Sequence, residues 1–120
     1  MSVIVAPIRV LLVEPHADTR ELYDLGLTAA GFDVRTADDT SSATLAFASH
    51  APTIVVTETR LPDRSDLLTR FTAAGVPVIA LTTSPLDHHA FRAGGAVAVL
   101  VKPCFPGEIA AAIREALGVA

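Results

Sequence analysis

The chain predicts a three-layer α/β fold: a doubly wound parallel sheet with helices on both faces. Three observations carry that prediction. Short runs such as Ile8 to Val13 and Val76 to Leu81 are apolar almost throughout, as strands covered on both faces should be. A stretch with helical spacing of its apolar residues follows each run, so strands and helices alternate in five βα units. Breakers such as Pro15, Gly31 and Pro52 fall where one pattern gives way to the next. Parallel strands need long crossovers, and those crossovers are right-handed. The strand order 2-1-3-4-5 fits this pattern best.

The elements follow in order. Ile8 to Val13 is the first strand. A helix starts near Ala17, with Leu22, Leu25, Ala29 and Ala30 at helical spacing, and Gly31 ends it as a left-handed cap. Phe32 to Ala37 is the second strand. Thr40, Ser41 or Ser42 caps a helix carrying Ala43, Leu45, Ala46, Phe47 and Ala48, and Pro52 forbids continuation beyond Ala51. Thr53 to Thr57, β-branched at nearly every position, is the third strand. Ser65 to Ala74 makes a short third helix, because little chain separates Pro62 from Pro77. Val76 to Leu81 and Ala96 to Val101 are the last two strands. Their helices lie near Leu86 to Ala93 and over Pro106 to Leu117.

Residues 1–120 read as one domain, with no repeat, linker or low-complexity tract. A hydrophobic fraction of 51% against 18% charged residues supplies one aliphatic core and argues against disorder. A net charge of -4 with scattered basic residues gives no footprint for nucleic acid, so this domain alone is not expected to bind it. The N-terminus lacks the basic start and long apolar region of a signal peptide, and no run reaches the length of a membrane span. The single cysteine, Cys104, cannot form an internal disulfide, which suits a reducing cytoplasm.

In a sheet of this order the site lies beyond the carboxyl ends of the strands, at the switch point. Glu14, Glu58, Thr82 and Lys102 each stand at such an end. The fold therefore brings four residues distant in sequence to one crevice. Lys102 is also the only lysine, against eight arginines.

The segment Ile54-Val55-Val56-Thr57-Glu58-Thr59-Arg60-Leu61-Pro62 resembles the phosphoacceptor segment of response-regulator receiver domains, in which an aspartate lies four residues before a proline. Leu81-Thr82-Thr83, Ala93-Gly94-Gly95-Ala96 and Val101-Lys102-Pro103 match further landmarks of that family in register. The resemblance runs from Ile8 to Leu117 and implies a flavodoxin-like, CheY-like fold. It also implies a role in two-component phosphorelay signalling by protein-protein interaction, not as an enzyme. In such receivers two acids after the first strand and the acceptor aspartate hold magnesium, while a threonine or serine and a lysine contact the phosphoryl oxygens; charge compensation of this kind is what phosphoryl transfer requires. Carried over, Thr82 and Lys102 are the phosphoryl contacts. The Lys102-Pro103 step matches the family's Lys-Pro, whose peptide is commonly cis.

The acidic half departs from the pattern. Glu58 stands at the acceptor position, and Pro15 follows Glu14 where a second acid is usual. Glu14 with Glu58 leaves at most a weak magnesium site, so no cofactor is expected to be required. Glu58 is a methylene longer than aspartate and projects toward Thr82 and Lys102. It either serves as a built-in anion, pairing with Lys102 and drawing Thr82 inward to fix one signalling state, or forms a structural ion pair in a decayed site. Val99 replaces the aromatic found at that position in many switchable receivers. The resemblance thus implies an atypical pseudo-receiver, independent of phosphorylation. A conventional receiver phosphorylated weakly or at another residue, and a small-ligand-binding protein on the same scaffold, remain as alternatives.

The expected partners are a sensor histidine kinase or a downstream effector. A homodimer, or a kinase or effector contact, is expected through the region Leu86 to Leu117, where Ala90, Ala93, Ala110, Ala111 and Ala112 would make the surface small and rather flat. Asp87-His88-His89 reads as solvated helix rather than a metal site, because neighbouring helical residues point about 100° apart. His16 reads as an exposed loop residue, Asp38, Asp39 and Asp63 as local turn caps, and Cys104 as a small packed side chain. Thr57 and Thr59 are explained by a strand end.

Overall fold

A computed structural model describes residues 6–61 and 66–119. Met1 to Val5, and the expectations attached to Pro62, Asp63 and Ser65, lie outside them. Five strands, β1 (Arg9–Val13), β2 (Asp33–Ala37), β3 (Ile54–Glu58), β4 (Val78–Thr82) and β5 (Ala98–Val101), form one parallel sheet in the order β2-β1-β3-β4-β5. The helices are α1 (Ala17–Ala29), α2 (Thr40–His50), α3 (Leu67–Ala73), α4 (His88–Ala93) and α5 (Pro106–Leu117), with a 3-10 turn at Pro85–Asp87 ahead of α4. The predicted topology is the observed one. The strands start one or two residues later than the apolar runs suggest, and β3 and β4 each extend one residue further, through Glu58 and Thr82.

The sheet separates two cores. On one side Leu11, Val13 and Val55 pack with Leu67, Leu68 and Phe71 of α3, and Phe71 stacks on Phe47 of α2 with ring centroids 4.6 Å apart. On the other side Val10, Leu12 and Val56 pack with Tyr23 and Leu27 of α1 and Ile109 and Ile113 of α5. Every residue of β3 and β4 is buried, which explains the apolar runs Ile54 to Val56 and Val78 to Leu81 that precede their polar ends.

Four sequence expectations need correction. Leu22 and Leu25 are exposed, and α1 instead buries Tyr23 and Leu27 one turn apart. Leu45, assigned to the apolar face of α2, is exposed as well. The N-cap of α2 is Asp39 rather than Thr40, Ser41 or Ser42: its carboxylate accepts from the Ser42 amide at 2.8 Å, while Ser42 Oγ accepts from the Asp39 amide. Ala110 is buried in the α1-side core and adds nothing to a docking surface. The short third helix is as expected, with seven residues.

Candidate functional site

The strand ends bring Glu14, Glu58, Thr82 and Lys102 to one end of the sheet. Glu14 leaves β1, Glu58 and Thr82 close β3 and β4, and Lys102 leaves β5, its amide donating to the Thr82 carbonyl at 2.7 Å. Glu14 and Thr82 have no exposed surface, and Glu58 retains 8%. Lys102 places its ammonium between the two carboxylates, with Nζ 2.6 Å from Glu14 Oε1 and 2.5 Å from Glu58 Oε2. Burial pulls the Lys102 ammonium toward deprotonation, but its hydrogen bonds and charge contacts with Glu14 and Glu58 outweigh that and raise its pKa overall.

The remaining carboxylate oxygens are also engaged. Glu14 Oε2 accepts from the His16 amide at 3.2 Å. Pro15 has no amide to offer, and the next residue supplies it. Glu58 Oε1 accepts from the Thr59 amide at 3.0 Å, with the Thr59 hydroxyl and the Arg60 amide each at 3.4 Å. The Glu58-Lys102 pair is the one anticipated from sequence. The Glu14-Lys102 pair was not anticipated: a wholly buried carboxylate needs a charged or hydrogen-bonding partner, but the burial of Glu14 is visible only in the fold.

Thr82 is not drawn to the ion cluster. Its hydroxyl accepts from the Ser84 amide at 3.1 Å and lies 3.5 Å from the Ser84 carbonyl, so it stabilises its own loop. Val99 is buried in the α3-side core. The Lys102-Pro103 peptide is cis. His16 is exposed at the crevice rim with Pro15, Arg60 and Thr83. Asp87 pairs with Arg60 at 2.9 Å, and among the described residues no group of three His, Cys, Asp or Glu side chains is arranged to hold a metal. Cys104 is half-buried beside Tyr23, and burial pushes its thiol pKa up, so it is not an activated nucleophile.

Residues 10–114 match the family model described as "Response regulator receiver domain". The chain belongs to the response-regulator receiver family. Receiver domains are signalling domains rather than enzymes in general, and they typically partner histidine kinases. This receiver is 31% identical over 117 residues to the "Probable transcriptional regulatory protein TcrX" of Mycobacterium tuberculosis, an alignment covering 92% of this chain and 50% of that protein. It is likewise 31% identical to the "Probable transcriptional regulator ycf27" of Pyropia yezoensis, over 91% of this chain and 47% of that one. The chain therefore spans about half the length of these curated relatives. Among solved structures, the receiver superposes on chemotaxis protein CheY4 of Vibrio cholerae with a TM-score of 0.83 at 24% identity, covering 92% of this chain and 99% of that one. NtrX of Brucella abortus gives a TM-score of 0.85 at 25% identity, over 94% of this chain and 27% of NtrX. No described helix is long and apolar enough to cross a membrane.

Proposed function

We propose that this receiver is a phosphorylation-independent interaction module whose crevice is held in one arrangement by the ion cluster of Glu14, Lys102 and Glu58. The observation that supports the reading is the bridging ammonium, within 2.6 Å of both carboxylates. A phosphoryl group entering the crevice would need Lys102 as a counter-ion, and here that charge is already committed twice. Glu58 offers a carboxylate in place of the aspartate that carries phosphate in the family. It satisfies Lys102 without chemistry, with less charge and fewer acceptor oxygens than a phosphoryl group.

Magnesium fits this donor set poorly. Each carboxylate has one oxygen on the Lys102 ammonium and the other on backbone amides, so the metal would have to displace an ammonium and strip existing bonds to reach near-octahedral oxygen ligation. The module we propose therefore requires no cofactor. Its partner is a sensor histidine kinase or a downstream effector, and α4, β5 and α5 form the docking face. A shallow groove there has Arg92 and Glu115 beside Val97, Ala98, Ala112 and Ala116, a surface suited to a homodimer.

Amide NMR titration tests the reading. The spectrum is expected to stay unchanged on adding magnesium and then beryllofluoride, a phosphoryl mimic. Shifts at Glu14, Glu58, Thr82 and Lys102 that spread into α4 and α5 would instead establish a working switch. Strictly monomeric light scattering at high concentration would remove the homodimer.

A further inference from the structure

We infer that Arg20 and Tyr23, three residues apart on α1, are positioning residues that fix the loops carrying Glu14 and Lys102 and so set the geometry of the ion cluster. The inference rests on the ion-cluster reading above. Two carboxylates and one ammonium meet only if three separate strand exits keep their relative places, and long side chains gain from being held. Residues at i and i+3 share one face of a helix, so a single helix can hold two loops at once.

α1 does this from one face. Arg20 Nη1 donates to the Glu14 carbonyl at 2.9 Å and to the Pro15 carbonyl at 3.3 Å, closing the β1-α1 loop over its own backbone. Tyr23, buried in the core, donates its hydroxyl to the Cys104 carbonyl at 3.1 Å, across 81 residues of sequence and two residues beyond Lys102. The Tyr23 oxygen also lies 3.4 Å from Cys104 Sγ. The helix can approach this closely because the next position on the same face is Gly26. A Cβ built there would lie 2.3 Å from Pro106 Cβ, at the first turn of α5. The two anchored loops carry Glu14 and Lys102, the 2.6 Å pair.

Because Lys102 is the only lysine, selective 15N-lysine labelling of the whole chain gives one Nζ signal, and the exchange rate of its ammonium protons reports on the cluster directly. Tyr23→Phe keeps the buried ring and removes only the hydroxyl; Arg20→Met keeps the stem and removes the donors. Each is expected to speed ammonium proton exchange by about fivefold or more, the weight of one intramolecular hydrogen bond. Val78→Ala, which carves the α3-side core at the start of β4, on the other face of the sheet from Tyr23 and at the end away from the crevice, is expected to lower global stability yet change the exchange less than twofold, an approximate bound for sites that do not share partners. The positioning role is overturned if Tyr23→Phe and Arg20→Met leave exchange at the wild-type rate, or if Val78→Ala raises it equally. A wild-type ammonium exchanging as fast as free lysine would overturn the ion cluster itself, and the positioning role with it.

Discussion

The two flanks of the crevice are built to different standards. On the α1 flank, Gly26 lets α1 lie directly on Pro106, Tyr23 reaches the Cys104 carbonyl, and Arg114 of α5 donates to the Ala30 carbonyl at 3.0 Å with its guanidinium 5.1 Å from the Phe32 ring centroid. On the opposite flank α3 has seven residues, α4 has six, and none of the α4 residues is buried. A cavity of about 330 Å³ lies there, bounded by Thr57, Glu58, Leu68, Thr69, Phe91 and Gly94. Glu58 has the cavity on one side and Lys102 on the other. The difference teaches where rigidity comes from: the ion cluster is held from the α1 side, and whatever motion the domain retains belongs to α4, where buried contacts are few.

Lys102 joins the two flanks, and its loss has the largest expected effect. Lys102→Met would leave Glu14 and Glu58 as buried carboxylates without their shared counter-ion, a change that costs about 3–5 kcal/mol at sites of this kind. Urea unfolding at neutral pH measures it. The triple variant that adds Glu14→Gln and Glu58→Gln is expected to recover most of the loss, because the charges that needed compensation are gone. If it does not, the cluster contributes through packing rather than charge.

The same contact can be read through pH. Lys102 has its folded pKa raised above the unfolded value, so the stabilisation it provides is fully present below the unfolded pKa of about 10.4 and is lost as pH rises through the folded pKa. Stability is thus expected to fall in the alkaline range, and Lys102→Met to remove part of that fall. Tyr23 also titrates there, its pKa raised mainly by burial. Its raised pKa leaves the neutral phenol favoured in the folded state, so folding holds that proton to higher pH and the Tyr23 contribution is likewise lost on the alkaline side. The difference between Lys102→Met and Tyr23→Phe profiles separates the two.

Gly26→Ala comes next. The added methyl would sit far inside van der Waals contact with the Pro106 ring, so α1 and α5 must separate, at about 1–3 kcal/mol for overpacking of this type. An alanine at Gly107, where a Cβ meets nothing within 4 Å, is the matched control. Equal effects at both positions would mean that the α1 flank is not close-packed and would dissolve the contrast between flanks.

The legible and illegible parts of this molecule divide along physical lines. Strands covered on both faces write their burial as unbroken apolar runs, so the sheet and its topology could be read, and the four strand-end residues followed from the topology. The faces of α1 and α2 could not be read in the same way. Leu22 and Leu25 have the right spacing for a core, but Tyr23 and Leu27 have it too, and only packing decides which pair turns inward. The cap of α2 went to Asp39 rather than a neighbouring hydroxyl because the Asp39 carboxylate and the Ser42 hydroxyl each accept from the other residue's backbone amide, a geometry that several adjacent candidates offer equally in one dimension. Pairing of Glu58 with Lys102 was legible from the length of the glutamate. The second contact, from Glu14, depends on how far Lys102 leans across the crevice, and Thr82 turning to Ser84 depends on a loop conformation that no local pattern announces.

The smallest expected effect tests the looser flank. Arg60 Nη2 pairs with Asp87 Oδ2 at 2.9 Å, spanning from the exit of β3 to the start of α4. Arg60 also sits next in the chain to Thr59, whose amide holds Glu58, so this pair is a direct link between the ion cluster and α4. Two-thirds of the Arg60 side chain is exposed, however, and water and salt compete for both partners. A double-mutant cycle with Arg60→Met and Asp87→Asn is expected to give a coupling below about 1 kcal/mol that shrinks further at high salt. Its size bears on the central contrast. A coupling of several kcal/mol that persisted in salt would mean that α4 is fastened to the Glu58 loop as firmly as α1 is to Lys102, and that the crevice is braced from both sides. A small, salt-sensitive coupling leaves α4 free to adjust to a partner while Glu14, Lys102 and Glu58 stay in place.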